Sequence, residues 1–132
     1  MTHATQRTIL IVENHSPSRE LLTRLAVERG VKVLCASTCD EASCLIALAG
    51  GEIDGAIMEV NLPDGASTDI EWLECPKLFM SARHYHLTLL RYKQPGALTL
   101  AKPFNGPQVM ETIEAFFSQV LWGTERAWEL AS

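Results

Sequence analysis

Short apolar runs alternate with amphipathic stretches along this chain, and the alternation predicts five strands and five helices. Thr8–Val12 (TILIV) is a β-branched run of the kind that forms a strand buried on both faces. After Glu-Asn-His-Ser, Pro17 suits the first turn of a helix with Ser16 as its cap. Leu21, Leu22, Leu25 and Ala26 form that helix's apolar stripe, and Gly30 closes it. Val31–Ala36 (VKVLCA) predicts the second strand. Ser37 or Thr38 then caps a second helix, in which Ala42, Leu45, Ile46 and Ala49 recur at helical spacing before Gly50-Gly51. Gly55–Met58 is the third strand and runs into Glu-Val-Asn-Leu-Pro-Asp-Gly. Leu78–Ser81 is the fourth strand, Arg83 to about Lys93 the fourth helix ended by Pro95-Gly96, and Ala97–Ala101 the fifth strand. Pro107 opens a last helix with Val109, Ile113, Phe116, Phe117, Val120 and Leu121 on one face. Only 17 residues separate Pro63 from Ser81, and they must hold a loop, the third helix and most of a strand. The third helix is therefore held to one or two turns around Thr68–Leu73, against a usual length of about 11–12 residues.

Strand–helix alternation of this kind means right-handed crossovers and an α/β fold: a parallel sheet with helices on both faces, a three-layer sandwich. In such sheets ligands and chemistry gather at the carboxyl ends of the strands. Those ends read Glu13-Asn14-His15, Ser37, Glu59, Ser81-Ala82 and Lys102-Pro103. No glycine-rich turn comes after the first strand, which removes dinucleotide and P-loop readings.

Composition narrows the field further. A chain of 132 residues suits one domain, and 47% hydrophobic against 20% charged residues is enough to bury a core. Eleven basic against sixteen acidic side chains leave a net charge of −5, which argues against direct nucleic-acid binding. No apolar run approaches the roughly 18 residues of a membrane span, and the start MTHATQR has no apolar signal segment, so a cytoplasmic protein is expected. Cys35, Cys39, Cys44 and Cys75 have neither redox nor zinc spacing and read as reduced, half-buried small hydrophobes.

The segments ILIVEN with Arg19 beyond it, IMEVNLPDG, FMSA and GALTLAKPF resemble, in order and spacing, the receiver domain of bacterial two-component response regulators over nearly all of residues 7–121. The resemblance implies a flavodoxin-like fold with five parallel strands in the order 2-1-3-4-5. It also implies an acidic pair after the first strand, a phospho-accepting Asp after the third, a Ser/Thr after the fourth and a Lys-Pro, usually cis, after the fifth. In such a site a carboxylate attacks a phosphoryl group, Mg²⁺ neutralises its oxygens, and hydroxyl and lysine gather the remaining charge. The domain is expected over residues 8–121, with 1–7 an N-terminal tail and 122–132 a C-terminal helical extension or tail.

The departures carry the functional expectation. Glu59 stands at the acceptor position, Glu13-Asn14 at the acidic pair, and Thr99 where a switch aromatic often lies, while Ser81, Lys102 and Pro103 are kept. Lengthening Asp to Glu moves the carboxylate by about one C–C bond, and a misplacement near ~1 Å can cost about a hundredfold in rate. Asn14 removes a charge from a site that must satisfy a hard, octahedral cation. With Glu13, Glu59 and the Asn61 carbonyl as the remaining ligands, Mg²⁺ is expected to bind weakly or not at all, no other cofactor is implied, and Lys102 is expected to pair with Glu59. A glutamate carries less charge than a phosphoryl group, so Glu59 imitates the phosphorylated state only in part.

Other residues have plain readings. His15 reads as a solvated loop histidine; His84 and His86, two apart, cannot share a metal from one helix. Asp54 reads as a helix-to-strand loop residue and Asp64 as a brace for the turn at Gly65. Three function classes are open. The first is a degenerate receiver, not an enzyme, that works by contact with a histidine kinase or output protein. The second is an active phosphoacceptor using Mg²⁺, and the third a small α/β enzyme reusing Glu59 and Lys102. Tyr85, Leu89 and Tyr92 on the fourth helix, with Leu121 and Trp128 on a last helix that runs on past Gly123, predict a homodimer through the fourth helix, fifth strand and fifth helix.

Overall fold

The computed structural model describes residues 6–67, 73–104 and 106–131, of which 106 and 123–131 are described in backbone only. In chain order the elements are β1 (Thr8–Val12), α1 (Ser16–Glu28), β2 (Lys32–Ala36), α2 (Cys39–Leu48), β3 (Gly55–Glu59), β4 (Asn61–Leu62), β5 (Gly65–Ala66), β6 (Lys77–Ser81), α3 (His84–Lys93), β7 (Leu98–Ala101) and α4 (Gly106–Ala131). Five strands form one parallel sheet in the order β2-β1-β3-β6-β7. This is the doubly wound, flavodoxin-like order expected, with the turn-bound pair β4–β5 inserted after the third strand. The short helix expected around Thr68–Leu73 falls almost entirely outside the described residues; Leu73 is described and buried.

Alternation along the strands sends side chains to two cores. Ile9, Ile11, Ile57, Leu78, Met80 and Leu100 face α1 and α4, where Leu22, Ala26, Ile113, Phe116 and Phe117 meet them. Leu10, Val12, Met58 and Phe79 face α2 and α3, against Ala42, Ile46 and Leu90. Both faces are dry, so the strands read as unbroken apolar runs. Gly55 is required where α4 crosses the sheet: a Cβ there would lie 2.5 Å from a Val120 methyl and 2.9 Å from the Phe116 ring. Arg29 fastens α1 to α4 through an ion pair with Glu114 and by lying 5.1 Å over the Phe117 ring.

Helix ends depart from the local pattern in several places. The cap of α1 is His15, not Ser16, and its side chain makes no capping bond; its Nδ1 instead lies 2.7 Å from Ser18 Oγ. Thr38 caps α2 by accepting from the Glu41 amide at 3.1 Å. Asp64 reaches beyond its own turn: its carboxylate accepts from the Cys39 and Asp40 amides at 2.8 and 3.0 Å. That sequence-distant carboxylate completes the N-terminal cap of α2 and ties the β4–β5 turn to it. These amides hold the Asp64 carboxyl below its ordinary pKa. The cysteines also differ from expectation, since Cys35 and Cys44 are exposed, and only Cys39 and Cys75 are half-buried. Both exposed thiols sit on outward-facing positions, one on the edge strand β2 and one on α2.

Candidate functional site

Three strand ends build the site. β1 delivers Glu13, whose amide donates to the Ala36 carbonyl at 2.9 Å and so extends the ladder by one residue. Arg19, one turn into α1, donates to the Glu13 carbonyl at 2.8 Å and to Ser37 Oγ at 3.3 Å, fixing the β1 and β2 ends together. β3 delivers Glu59 as its last residue, and the Lys102 amide, donating to the Ser81 carbonyl at 2.9 Å, carries β7 to the same rim. The Lys102–Pro103 bond is cis.

At the centre, Lys102 Nζ lies 2.6 Å from Glu13 Oε2 and 2.8 Å from Glu59 Oε1. The expected Lys102–Glu59 pair is present, and Glu13 joins it. Glu13 is fully buried and the Glu59 side chain is only 9% exposed, so neither carboxylate is balanced by bulk water. Their outer oxygens are occupied too: Glu13 Oε1 accepts from the His15 amide at 3.0 Å, and Glu59 Oε2 from the Asn61 amide at 3.1 Å. Burial works against the lysine charge, but the hydrogen bonds and charges of Glu13 and Glu59 outweigh it and hold the ammonium pKa above its ordinary value. The Phe104 ring lies 5.8 Å from the ammonium.

Around this triad the remaining residues divide. Ser81 is fully buried, and its Oγ accepts from the Arg83 amide at 3.0 Å and from Asn61 Nδ2 at 3.4 Å. It therefore stands beside the carboxylates without bonding them. Asn61 Nδ2 also lies 3.2 Å from His86 Nδ1, a link from the rim to α3 that spacing alone does not suggest. Asn14 is exposed. Thr99 Oγ1 accepts from Arg91 Nε at 2.8 Å, so the position holds a polar clasp between β7 and α3 and not a ring. Tyr85, Leu89 and Tyr92 are 59%, 54% and 89% exposed, one stripe on the outer face of α3 whose inner face buries Leu87 and Leu90. Leu121 is half-buried against the domain's own core, and the Trp128 side chain lies outside the described residues, although the α4 backbone does run on through Gly123 to Ala131.

Two carboxylates and an ammonium are what the rim would offer a Mg²⁺ ion. Such an ion needs about six oxygens near ~2.1 Å in octahedral order. Here Glu13 and Glu59 are the anionic donors, each of their four oxygens accepts one hydrogen bond from the ammonium or a backbone amide, and the ammonium lies between them. Among the described residues no group of three or more His, Cys, Asp or Glu could hold a metal, and no helix is long and apolar enough to cross a membrane.

No family model and no curated protein matches the sequence. Solved structures do. The chain is similar to the non-phosphorylated HemR receiver domain from Leptospira biflexa, at 26% identity and TM-score 0.72, covering 86% of this chain and 95% of that one. It is similar to a CheY-like response regulator receiver domain protein from Methanospirillum hungatei, at 20% identity and TM-score 0.68, covering 89% and 98%. A two-component response regulator from Clostridium difficile matches at 23% identity and TM-score 0.68, covering 88% and 96%.

Proposed function

We propose that this chain, which has the fold of the response-regulator receiver domains, is a signalling module of a two-component pathway that works by protein contact and does not carry a phosphoryl group. The observation that supports this reading is the closed triad Glu13–Lys102–Glu59. A phosphoacceptor needs a carboxylate oxygen free to attack and a cation free to receive the incoming charge. Here the acceptor-position carboxylate accepts from the ammonium through one oxygen and from a backbone amide through the other, and the ammonium is shared between two carboxylates. The competing active-phosphoacceptor reading is tested by incubating the protein with acetyl phosphate or phosphoramidate and Mg²⁺, then weighing the intact chain. No phosphoryl adduct is expected, whereas a stoichiometric, hydroxylamine-labile adduct on Glu59 would overturn the proposal.

The partner-binding part of the reading rests on α3. Its outer stripe of Tyr85, Leu89 and Tyr92 is more apolar than solvent alone favours, and Arg83, Arg91 and Lys93 flank it. A histidine kinase, an output protein or a second copy of the chain are the contacts this role implies. A homodimer through α3, β7 and α4 is the form we favour. Light scattering showing a monomer at high micromolar concentration, unchanged in size and stability by Trp128→Ala, would defeat the dimer and leave the scaffold reading standing.

A further inference from the structure

We infer that Lys102 is the resident cation of this pocket and stands in for a divalent metal, so that the domain is metal-independent and the charge of its rim is partly balanced from within. The inference deepens the reading above by naming what the pocket holds. Two carboxylates from β1 and β3, one fully buried and one nearly so, require a positive partner at the sheet's edge. The ammonium supplies it at 2.6 and 2.8 Å, with the Phe104 ring 5.8 Å away. It leaves a residual charge of one negative unit, spread over oxygens that also accept backbone amides.

A metal and the ammonium compete for the same two carboxylates. A divalent ion held by them would lie within a few ångströms of Nζ, and like charges at such distances repel. Asn14, the one further side chain on the β1 loop that the sequence offers as a ligand, is neutral and exposed. Metal entry is therefore opposed by charge and by geometry together. Taking the ammonium away reverses the balance. The rim then holds two adjacent carboxylates with no internal cation, and a hard divalent ion becomes the best available partner for them.

The test reads metal occupancy, not phosphoryl transfer or partner binding, so it can fail while the contact-module reading holds, and the reverse. Mn²⁺ is titrated into the full chain and followed by electron paramagnetic resonance, with melting temperature in Mg²⁺ against chelator as a second readout. Wild type and Lys102→Arg, which keeps the charge, are expected to leave Mn²⁺ free and to melt at the same temperature in either condition. Lys102→Met is expected to bind Mn²⁺ about tenfold or more tightly than wild type, because one positive charge has been removed a few ångströms from the ion. Adding Glu59→Gln to it should abolish that gain. Wild type binding Mn²⁺ as tightly as Lys102→Met, or a folded Lys102→Met that stays metal-free, would overturn the inference. If Lys102→Met does not fold, wild type and Lys102→Arg decide: binding or a Mg²⁺-dependent rise in melting temperature in either one refutes it, and its absence in both supports it.

Discussion

Replacing Lys102 by Met keeps an unbranched side chain, one heavy atom shorter, and removes the charge, so it chiefly removes the electrostatic contribution of the triad. Glu13 is fully buried and the Glu59 side chain 9% exposed, so the substitution leaves two carboxylates facing each other with no cation between them. Removing one partner of a buried pair costs about 3–5 kcal/mol. Two features place this site near the lower end. The lysine side chain is 16% exposed, which admits water at the rim, and each carboxylate keeps one backbone amide donor. A loss near ~3 kcal/mol corresponds to roughly 10 °C in melting temperature for a domain of this size. Urea unfolding is the assay, with the midpoint moving and the slope unchanged. The pH dependence has a definite sign. The folded pKa of Lys102 is raised above 10.5, so its contribution is complete below that value and is lost only as pH rises through the folded pKa. The titration of Lys102 itself therefore adds no pH dependence to the gap between wild type and Lys102→Met through neutral and mildly alkaline pH. Glu59→Gln added to Lys102→Met should recover about 1 kcal/mol or more, because it removes one of the stranded charges. A single-variant loss below about 1 kcal/mol, or strict additivity of the two substitutions, would refute the claim that the three side chains act as one unit.

Gly55→Ala should destabilise by about 1–3 kcal/mol in the same assay, since the new methyl meets Val120 at 2.5 Å and α4 must move outward; a neutral result would mean that α4 is seated loosely. Thr38→Ala should cost about 1 kcal/mol through the lost α2 cap, and Thr38→Ser almost nothing. Burial pushes the Cys75 thiol up to about 11, with Lys77 nearby opposing the rise and Asp54 adding to it, so alkylation with iodoacetamide followed by peptide mass mapping should label the exposed Cys35 and Cys44 first at mildly alkaline pH. Equal rates would show that Cys75 is not shielded. If Glu59→Gln leaves partner binding unchanged, Glu59 does not act as a partial imitation of a phosphoryl group.

The strands and most helix bounds are legible in the sequence because dry strands between two helix layers must be apolar throughout, and the helices facing them must be striped, whereas the sheet order follows only from the resemblance carried by the strand-end motifs. Gly50 and Gly51 mark the end of α2 for the same local reason, both taking positive φ. Contacts made by sequence-distant residues lie beyond the reach of local pattern. Asp64 has the look of a turn residue, yet its carboxylate caps a helix that begins 25 positions earlier. The β4–β5 pair escapes detection because two-residue strands carry no periodicity, although Pro63-Asp64-Gly65 is turn chemistry. At the site, motif spacing brings Glu13, Glu59, Ser81 and Lys102 to one rim. It does not reveal that the lysine divides itself between two carboxylates, because that depends on side-chain rotamers across three strands. The Asn61–His86 link has no signature in spacing either, since it joins the β3 rim to a helix on a neighbouring crossover.

The most direct test of the closed triad is a crystal structure of the chain grown with Mg²⁺ and phosphoramidate. Lys102 Nζ is expected to remain seated between Glu13 and Glu59, with no metal and no phosphoryl group at the rim. A metal coordinated by Glu13 and Glu59 with Lys102 turned away, or a phosphoryl group on Glu59, would contradict it.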